Sequence, residues 1–213
     1  MPGNPVLYAV VSLAAALVPA AIGFYAWRRC GRPAIRTLAV LMWVLALWSV
    51  VYALELLSRA LLLHQAEQAV LLAVAPLWLV FALQYTGRGG QVTRRRLALL
   101  FAVPLVTLAL ILTSGWHDLL WSPEQPVGPL QPPAIDNYGP WFWIDFGYRA
   151  LLVFLGSAFL VPMVVDGRGV YRTQSLCLLA GFLTPWAADA TYRLGAGSVP
   201  NLASLAFVVT GLA

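Results

Sequence analysis

The sequence predicts an all-α polytopic membrane protein, a bundle of seven transmembrane helices with the N-terminus outside and the seventh helix incomplete. Of the 213 residues, 61% are hydrophobic and only 10% are charged, whereas soluble domains carry about 25% charged residues. Apolar windows recur along the whole chain, and every second loop between them is rich in arginine. These observations exclude a soluble globular fold.

Six apolar windows are long enough for transmembrane helices, each of which requires about 20 mostly apolar residues. In order along the chain, they cover residues 5–27, 35–57, 66–85, 97–113, 141–165 and 173–192. A seventh window starts at residue 199 and stops at 213, so we expect the natural polypeptide to continue it. No basic residue precedes the first window and two arginines follow it, which argues against a cleaved signal peptide. Residues 1–213 are therefore predicted to form a single transmembrane domain.

The arginines predict the direction in which each helix crosses the membrane. All thirteen basic residues are arginine, and cytoplasmic loops carry the excess of positive charge. The loops after windows one, three and five are therefore predicted to be cytoplasmic; their arginines are Arg28, Arg29, Arg32, Arg36, Arg88, Arg94, Arg95, Arg96, Arg168 and Arg172. This pattern accounts for the net charge of +5 without a nucleic-acid partner. The absence of lysine excludes a retinal Schiff base.

The longest predicted loop covers residues 114–139 and contains five prolines. We expect it to form a partly extended cap outside the cell. Five of the windows also contain an internal proline, at Pro19, Pro76, Pro104, Pro162 and Pro185. Each of these prolines predicts a helix kink, or alternatively a functional hinge, because neighbouring helices can satisfy the carbonyls that a proline frees.

Three windows share a polar pattern near their outer ends: an aromatic residue, then an acid, then an arginine four positions after the acid. The three sets are Tyr52, Glu55 and Arg59; Trp141, Asp145 and Arg149; and Trp186, Asp189 and Arg193. The four-residue spacing places each acid and its arginine on one helical face. Arg149 follows Pro140 by nine residues, which is about 14 Å along a helix. At that depth a charged side chain requires a partner.

We expect Asp145 to hold Arg149, with Glu55 or Asp189 as a further partner. This group either lines a ligand pocket open to the outside or forms a purely structural ion pair. The candidate ligand-binding residues are Tyr52, Glu55, Asp145, Tyr148, Arg149, Trp186, Asp189, Arg193 and His117. Their aromatic and arginine content favours an anionic or aromatic small ligand.

His117 follows the fourth window in the stretch TSGWHDLLW, between two tryptophans. It is interpreted either as an interfacial anchor or as a group that binds the cap or a ligand and couples the outer surface to the bundle. Its spacing with Asp118 is too weak to predict a metal site. The chain also has no HExxH, GxSxG, CxxC or glycine-rich phosphate motif. The sequence therefore predicts no catalytic residue, no metal site and no cofactor.

Three motifs resemble the N-terminal seven-transmembrane sensor region of bacterial histidine kinases. A Trp-x-x-Phe-Ala-x-x-Tyr-Thr-Gly stretch closes the third window, a Thr-x-x-x-His stretch closes the fourth, and a Gly-Pro-x-Phe-Trp stretch opens the fifth. The matching residues are Trp78, Phe81, Ala82, Tyr85, Thr86, Gly87, Thr113, His117, Gly139, Pro140, Phe142 and Trp143. One position departs from the pattern, because Ser114 stands where the family usually has asparagine.

The resemblance implies a sensory input module in the bacterial inner membrane. Its seventh helix would continue into a cytoplasmic output domain of the same polypeptide, such as a PAS domain with a histidine kinase, or a diguanylate cyclase. The resemblance also implies a homodimer and an unknown small ligand. Because no phosphoacceptor helix or ATP-binding segment lies within the 213 residues, we expect this chain by itself to be non-enzymatic.

A small three-plus-one-plus-three membrane transporter is the competing function. In such a repeat the second and sixth windows would be equivalent, and the Tyr52 and Trp186 patterns fit that relation. The reading frame beyond residue 213 distinguishes the two functions. A stop codon within about ten residues, enough only to complete a span, favours the transporter, whereas a long extension favours the sensor.

Overall fold

Helices account for nearly all regular structure in the part of the chain described by the structure, a computed structural model covering residues 5–29, 31–58, 60–122, 137–166 and 169–193. The helices are α1 Pro5–Arg28, α2 Pro33–Ser58, α3 Leu61–Leu71, α4 Val74–Tyr85, α5 Arg94–Leu112, α6 Pro140–Val165 and α7 Val170–Arg193. Two 3₁₀ turns cover Gly89–Gln91 and Ser114–Trp116. The two-residue strands β1 Trp121–Ser122 and β2 Asn137–Tyr138 pair antiparallel. The predicted all-helical membrane fold class is confirmed at this level.

Five helical segments within the described residues are long and apolar enough to cross a membrane. They are Val6–Arg28, Pro33–Ser58, Leu61–Tyr85, Arg94–Leu112 and Pro140–Val165. Helix α7 forms where the sixth window was predicted but is not among these five. The seventh window, from residue 199, lies outside the described residues. The count of seven spans and the orientation therefore stay predictions.

The third span starts earlier than its apolar window predicts, at Leu61 rather than at residue 66. The polar residues between these positions, His64 and Gln65, suggested a loop, but both lie in α3 and are half-buried. The span also breaks between Leu71 and Val74. Pro76 explains this break, because a proline ring clashes with the carbonyl four residues earlier in a helix. Proline also has no N–H with which to complete the helical hydrogen bond to that carbonyl.

Trp78 of α4 is the centre of the main apolar core. It is 1% exposed, and its ring stacks on Phe182 of α7 with centroids 4.0 Å apart. Helix α6 approaches the same ring at Gly156, where a Cβ atom would lie 2.7 Å from Trp78 Cδ1 and 2.8 Å from Nε1. The absence of a side chain at Gly156 therefore lets α6 pack directly against α4.

Helix α4 ends in a Schellman motif. Gly87 has a φ of 77°, a left-handed conformation that costs little only for glycine. The Gly87 amide donates to Gln84 O at 3.3 Å and the Arg88 amide donates to Leu83 O at 2.7 Å, the two bonds that define this motif. The Tyr-Thr-Gly part of the first motif is thus a helix terminus.

The segments 113–122 and 137–139 form a small cap over one end of the bundle, called the cap end below. The Gly139 amide donates to Leu120 O at 2.9 Å, and the Trp141 amide donates to Leu119 O at 3.0 Å. Leu120 and Trp121 are buried against Leu72 and Ile111. Residues 123–136, most of the proline-rich loop, lie outside the described residues.

Candidate functional site

The cap end of the apolar bundle contains two buried polar clusters. The first is the α6 ion pair, formed by Asp145 and Arg149. The second is the carboxylate–histidine cluster, formed by Glu55 of α2 with His64 and Glu67 of α3. Because consecutive helices are joined by short loops and run antiparallel, this end is opposite the arginine-rich loops.

The α6 ion pair is held by a polar side chain of α5. Arg149 Nε lies 2.7 Å from Asp145 Oδ2, and Asp145 is only 2% exposed. Thr107 Oγ1 lies 3.1 Å from Asp145 Oδ1 and 3.0 Å from Val103 O, so its single proton can serve either acceptor. Trp141 Nε1 donates to Thr107 Oγ1 at 3.0 Å. The carboxylate thus receives an intrahelical and an interhelical partner.

The carboxylate–histidine cluster joins α2 to α3. His64 Nδ1 lies 2.8 Å from Glu55 Oε1 and 3.8 Å from Glu67 Oε2. Trp48 Nε1 of α2 donates to Glu67 Oε1 at 3.0 Å. The Trp121 ring of the cap stands edge-on to the His64 ring, with centroids 5.6 Å apart. The cluster is therefore enclosed by two helices and the cap.

Tyr148 was predicted to bind a ligand, but the structure gives its hydroxyl a backbone partner. The hydroxyl donates to Leu100 O of α5 at 2.6 Å. In a regular helix that carbonyl accepts from the amide four residues later, but residue 104 is proline and has no N–H. Tyr148 therefore satisfies the carbonyl that Pro104 frees.

Tyr148→Phe is expected to lower the free energy of unfolding by about 1 kcal/mol, since the half-buried carbonyl of Leu100 loses the hydroxyl that donates to it. The cost should shrink in a Pro104→Ala background, because alanine at position 104 supplies the missing amide to Leu100 O. A double-mutant cycle measured by denaturation of the purified protein tests this coupling. Equal effects of Tyr148→Phe in both backgrounds would contradict this role.

His117 is bound within the turn that follows α5. Its Nδ1 lies 3.4 Å from the Leu119 amide, which can only donate, so Nε2 carries the proton and donates to Thr113 Oγ1 at 2.9 Å. The Thr113 hydroxyl in turn donates to Ala109 O at 2.9 Å. Nearby, Gln65 Nε2 of α3 donates to Ser114 Oγ at 3.0 Å. The Thr-x-x-x-His motif thus closes the turn that carries the cap.

The other predicted site residues lie at several places. The Tyr52 ring stacks with Trp48, centroids 5.9 Å apart, beside the carboxylate–histidine cluster. The Trp186 ring packs against Phe146 and Phe154 of α6. Arg59 and the side chains of Asp189 and Arg193 lie outside the described part of the structure.

Sequence reasoning missed four residues of the two clusters: Trp48, His64, Glu67 and Thr107. His64 and Glu67 have the i, i+3 spacing that places two side chains on one face of a helix. This His-x-x-Glu pair was the available signal, but His64 precedes the apolar window, residues 66–85, that predicted the third span. Thr107 carries no such signal, because its partner Asp145 is 38 residues away.

A cavity of about 830 Å³ lies toward the arginine end of the bundle, between α1, α2, α4 and α7. Among the described residues, none of the predicted ligand-binding side chains lines it. Its walls include Pro19, Leu38, Trp78, Gln84, Cys177 and Phe182. Cys177, which lines this cavity, is a free thiol, and Cys30 lies outside the described residues.

One comparison with known proteins identifies a family. The family model described as the N-terminal 7TM region of histidine kinase matches residues 11–213, nearly the whole chain. No curated protein and no solved structure matches the chain.

Proposed function

We propose that this chain, which belongs to the family of N-terminal 7TM regions of histidine kinases, detects a small ligand and passes the signal to a cytoplasmic output domain. It is a multi-pass membrane protein and a sensory input region. The ligand would reach it from outside the cell or from within the membrane. The output would lie beyond residue 213 as a histidine kinase, a PAS domain or a diguanylate cyclase.

The proposed orientation places the N-terminus and the cap end outside, in the inner membrane of a bacterium. It rests on the arginines that occur in the loops at the opposite end, since cytoplasmic loops carry the excess of Arg and Lys. The output domain would then follow the seventh span in the cytoplasm. In this arrangement the chain performs no phosphotransfer itself and works as a homodimer.

The observation that best supports a sensory role is the pair of buried polar clusters at the cap end. An ionisable side chain within a span costs about 2.5–3.5 kcal/mol on insertion scales and by default marks a functional site. Glu55, Glu67 and Asp145 are all buried within candidate spans. A bundle that needed only to cross the membrane would be more stable with apolar residues at these positions.

The cap connects the two clusters through packed aromatic side chains. Trp121 contacts His64 and belongs to the small apolar core against which Trp141 packs. Trp141 in turn donates to Thr107, the partner of Asp145. A ligand that binds one arrangement of these groups better than another would shift the populations of both clusters together. Helix α6 would carry this change toward the opposite end of the bundle.

The test uses the full natural polypeptide in nanodiscs and a metabolite library. We expect at least one anionic or aromatic compound to raise the midpoint of thermal unfolding and to change the rate of the output reaction severalfold. In Arg149→Leu, the same compound should lose both effects. Both effects should disappear together, because a ligand can shift the equilibrium between the active and inactive states of the output domain only by binding the protein more tightly in one of those states.

A transporter would give a different result in the same experiment. A compound that stabilises the protein, leaves the output rate unchanged and accumulates inside proteoliposomes would contradict a sensory role. An Arg149→Leu variant with wild-type stability and an unchanged response would remove Arg149 from the proposed ligand site. Neither result depends on metal binding.

A further inference from the structure

The carboxylate–histidine cluster has the composition and reach of a metal site. Glu55, His64 and Glu67 each offer one ligand atom, and these atoms lie within 4.8 Å of one another. Around a Zn²⁺ ion with bonds of about 2.0–2.2 Å, tetrahedral ligand atoms lie about 3.3 Å apart. The observed separations from His64 Nδ1, 2.8 Å and 3.8 Å, fall on either side of that value. Movements of less than about 1 Å would therefore enclose an ion.

The charge balance of the cluster leaves room for a divalent cation. Glu55 and Glu67 are each 6% exposed, and their two carboxyl groups with one imidazole are neutral as a set only when they hold two protons or bind a divalent cation in place of those protons. An unbalanced negative charge in an apolar surrounding is costly unless it is paired or coordinates a metal. Neutralising this charge is what a divalent ion would contribute.

A second observation points to a ligand. Glu55 Oε2 is completely buried and receives no hydrogen bond from an amide, a hydroxyl or a ring N–H of the described residues, and the nearest polar group to the Glu55 carboxylate besides His64 is the second carboxyl group, Glu67. Buried carboxylate oxygens in proteins are normally bonded, and the other oxygen of the same group is already bonded to His64. A bound ion would give the remaining lone pairs of this carboxylate an electron-pair acceptor.

The surroundings also resemble those that orient metal ligands. Trp48 Nε1 donates to Glu67 Oε1, which leaves Oε2 as the oxygen nearer to His64. Hydrogen bonds of this kind hold a ligating carboxylate in one orientation and raise metal affinity. The Trp121 ring covers the imidazole from the cap side and limits the access of water.

We propose that Glu55, His64 and Glu67 bind a first-row divalent transition metal ion, with a water molecule as the fourth ligand. One imidazole favours Zn²⁺ and its neighbours over Mg²⁺ and Ca²⁺, which prefer oxygen ligands alone. The fourth position remains open to an external ligand, as in metal sites that bind small molecules. The ion would join the end of α2 to the start of α3. Binding of the ion does not depend on the proposed sensory function.

The test titrates Zn²⁺ alone into the chelator-treated, full natural polypeptide and measures binding by calorimetry and by elemental analysis after desalting. We expect one ion per chain in this region. Zinc-edge X-ray absorption of the wild-type protein should show nitrogen and oxygen ligands at about 2.0–2.2 Å. A sulfur shell at about 2.3 Å would assign the ion to cysteine and overturn the proposal.

Variants identify the ligands. Glu55→Gln keeps the size of the side chain and His64→Asn replaces the imidazole by a smaller polar group, and each should raise the dissociation constant at least a hundredfold. Trp48→Phe removes only the orienting bond, so it should raise the constant about 10–100-fold. His117→Gln removes the other histidine of the chain and should leave the stoichiometry at one. Loss of the ion in His117→Gln, or its retention in His64→Asn, overturns the assignment.

The X-ray absorption measurement uses only the wild-type protein, so it tests the proposal even if a substituted protein fails to fold. Absence of a tightly bound ion in the wild-type protein would overturn it directly. The sequence alone predicts no metal site, because the nearest metal-ligand pattern along the chain is His117 with Asp118. The α2–α3 hairpin instead brings together Glu55 and a His-x-x-Glu pair nine residues further along the chain.

Discussion

Substitution of Asp145 by alanine is expected to lower the free energy of unfolding by about 3–5 kcal/mol, the range seen when one partner of a buried ion pair is removed. Asp145 is 2% exposed, and the side chain of Arg149 is 13% exposed. Without the carboxylate, the guanidinium keeps its charge but loses the acceptor 2.7 Å away. Chemical denaturation of the purified protein in nanodiscs measures this loss.

Two further variants separate the lost pairing from other effects of the substitution. Asp145→Ala/Arg149→Leu should recover much of the loss, because replacing both charges leaves no buried ion without a partner. Asp166→Ala removes an exposed acid at the end of the same helix and should change stability by less than about 0.5 kcal/mol. If Asp145→Ala is as stable as Asp166→Ala, the carboxylate does not hold Arg149 in the folded protein.

The helices could be predicted because a single physical requirement dominates this sequence. Backbone groups in lipid must be satisfied internally, so long apolar windows become helices. The third span differs from its predicted window at the start, because α3 begins at Leu61. His64 in this first part of α3 contacts Glu55 of α2, with Nδ1 2.8 Å from Oε1. Hydropathy along the chain does not contain such contacts.

The α6 ion pair and the carboxylate–histidine cluster differ in how far apart their residues lie along the sequence. Asp145 and Arg149 are four residues apart on one helix, and helix geometry alone predicts that they meet. Glu55 meets His64 across a helix hairpin, and Thr107 meets Asp145 across 38 residues. These contacts depend on how the helices pack. A single sequence therefore predicts that Arg149 needs a partner, but not which residues of other helices complete the site.

The first family motif also has a structural explanation. Trp78, Phe81 and Ala82 lie in the main apolar core, and Gly87 takes the left-handed conformation that ends α4. In the third motif, a Cβ atom on Gly139 would collide with the carbonyl oxygens of Asp118 and Leu119 in the cap. These motif residues hold the helices and the cap in position, whereas the buried acids lie outside the motifs. The family resemblance therefore rests on residues of the scaffold and not on the residues of the two polar clusters.

The close contact between α4 and α6 predicts a large effect at Gly156. Gly156→Leu is expected to lower the free energy of unfolding by about 3 kcal/mol, the upper part of the usual range for overpacking. A Cβ atom there would lie 2.7 Å from Trp78 Cδ1 and 3.4 Å from Leu79 Cα. The Trp78 ring cannot move away easily, because its stacking on Phe182 leaves the centroids 4.0 Å apart.

Gly147→Ala is the matched control for Gly156, because it lies on the same helix and a Cβ atom there meets nothing within 4 Å. Alanine at position 147 should leave stability unchanged or raise it by up to about 1 kcal/mol through helix propensity. The smaller ring of Trp78→Phe makes room at the contact, so Gly156→Ala should cost less in that background than in the wild-type protein. Additive effects of these two substitutions, or a Gly156→Leu protein as stable as Gly147→Ala, would show that α6 does not pack on Trp78.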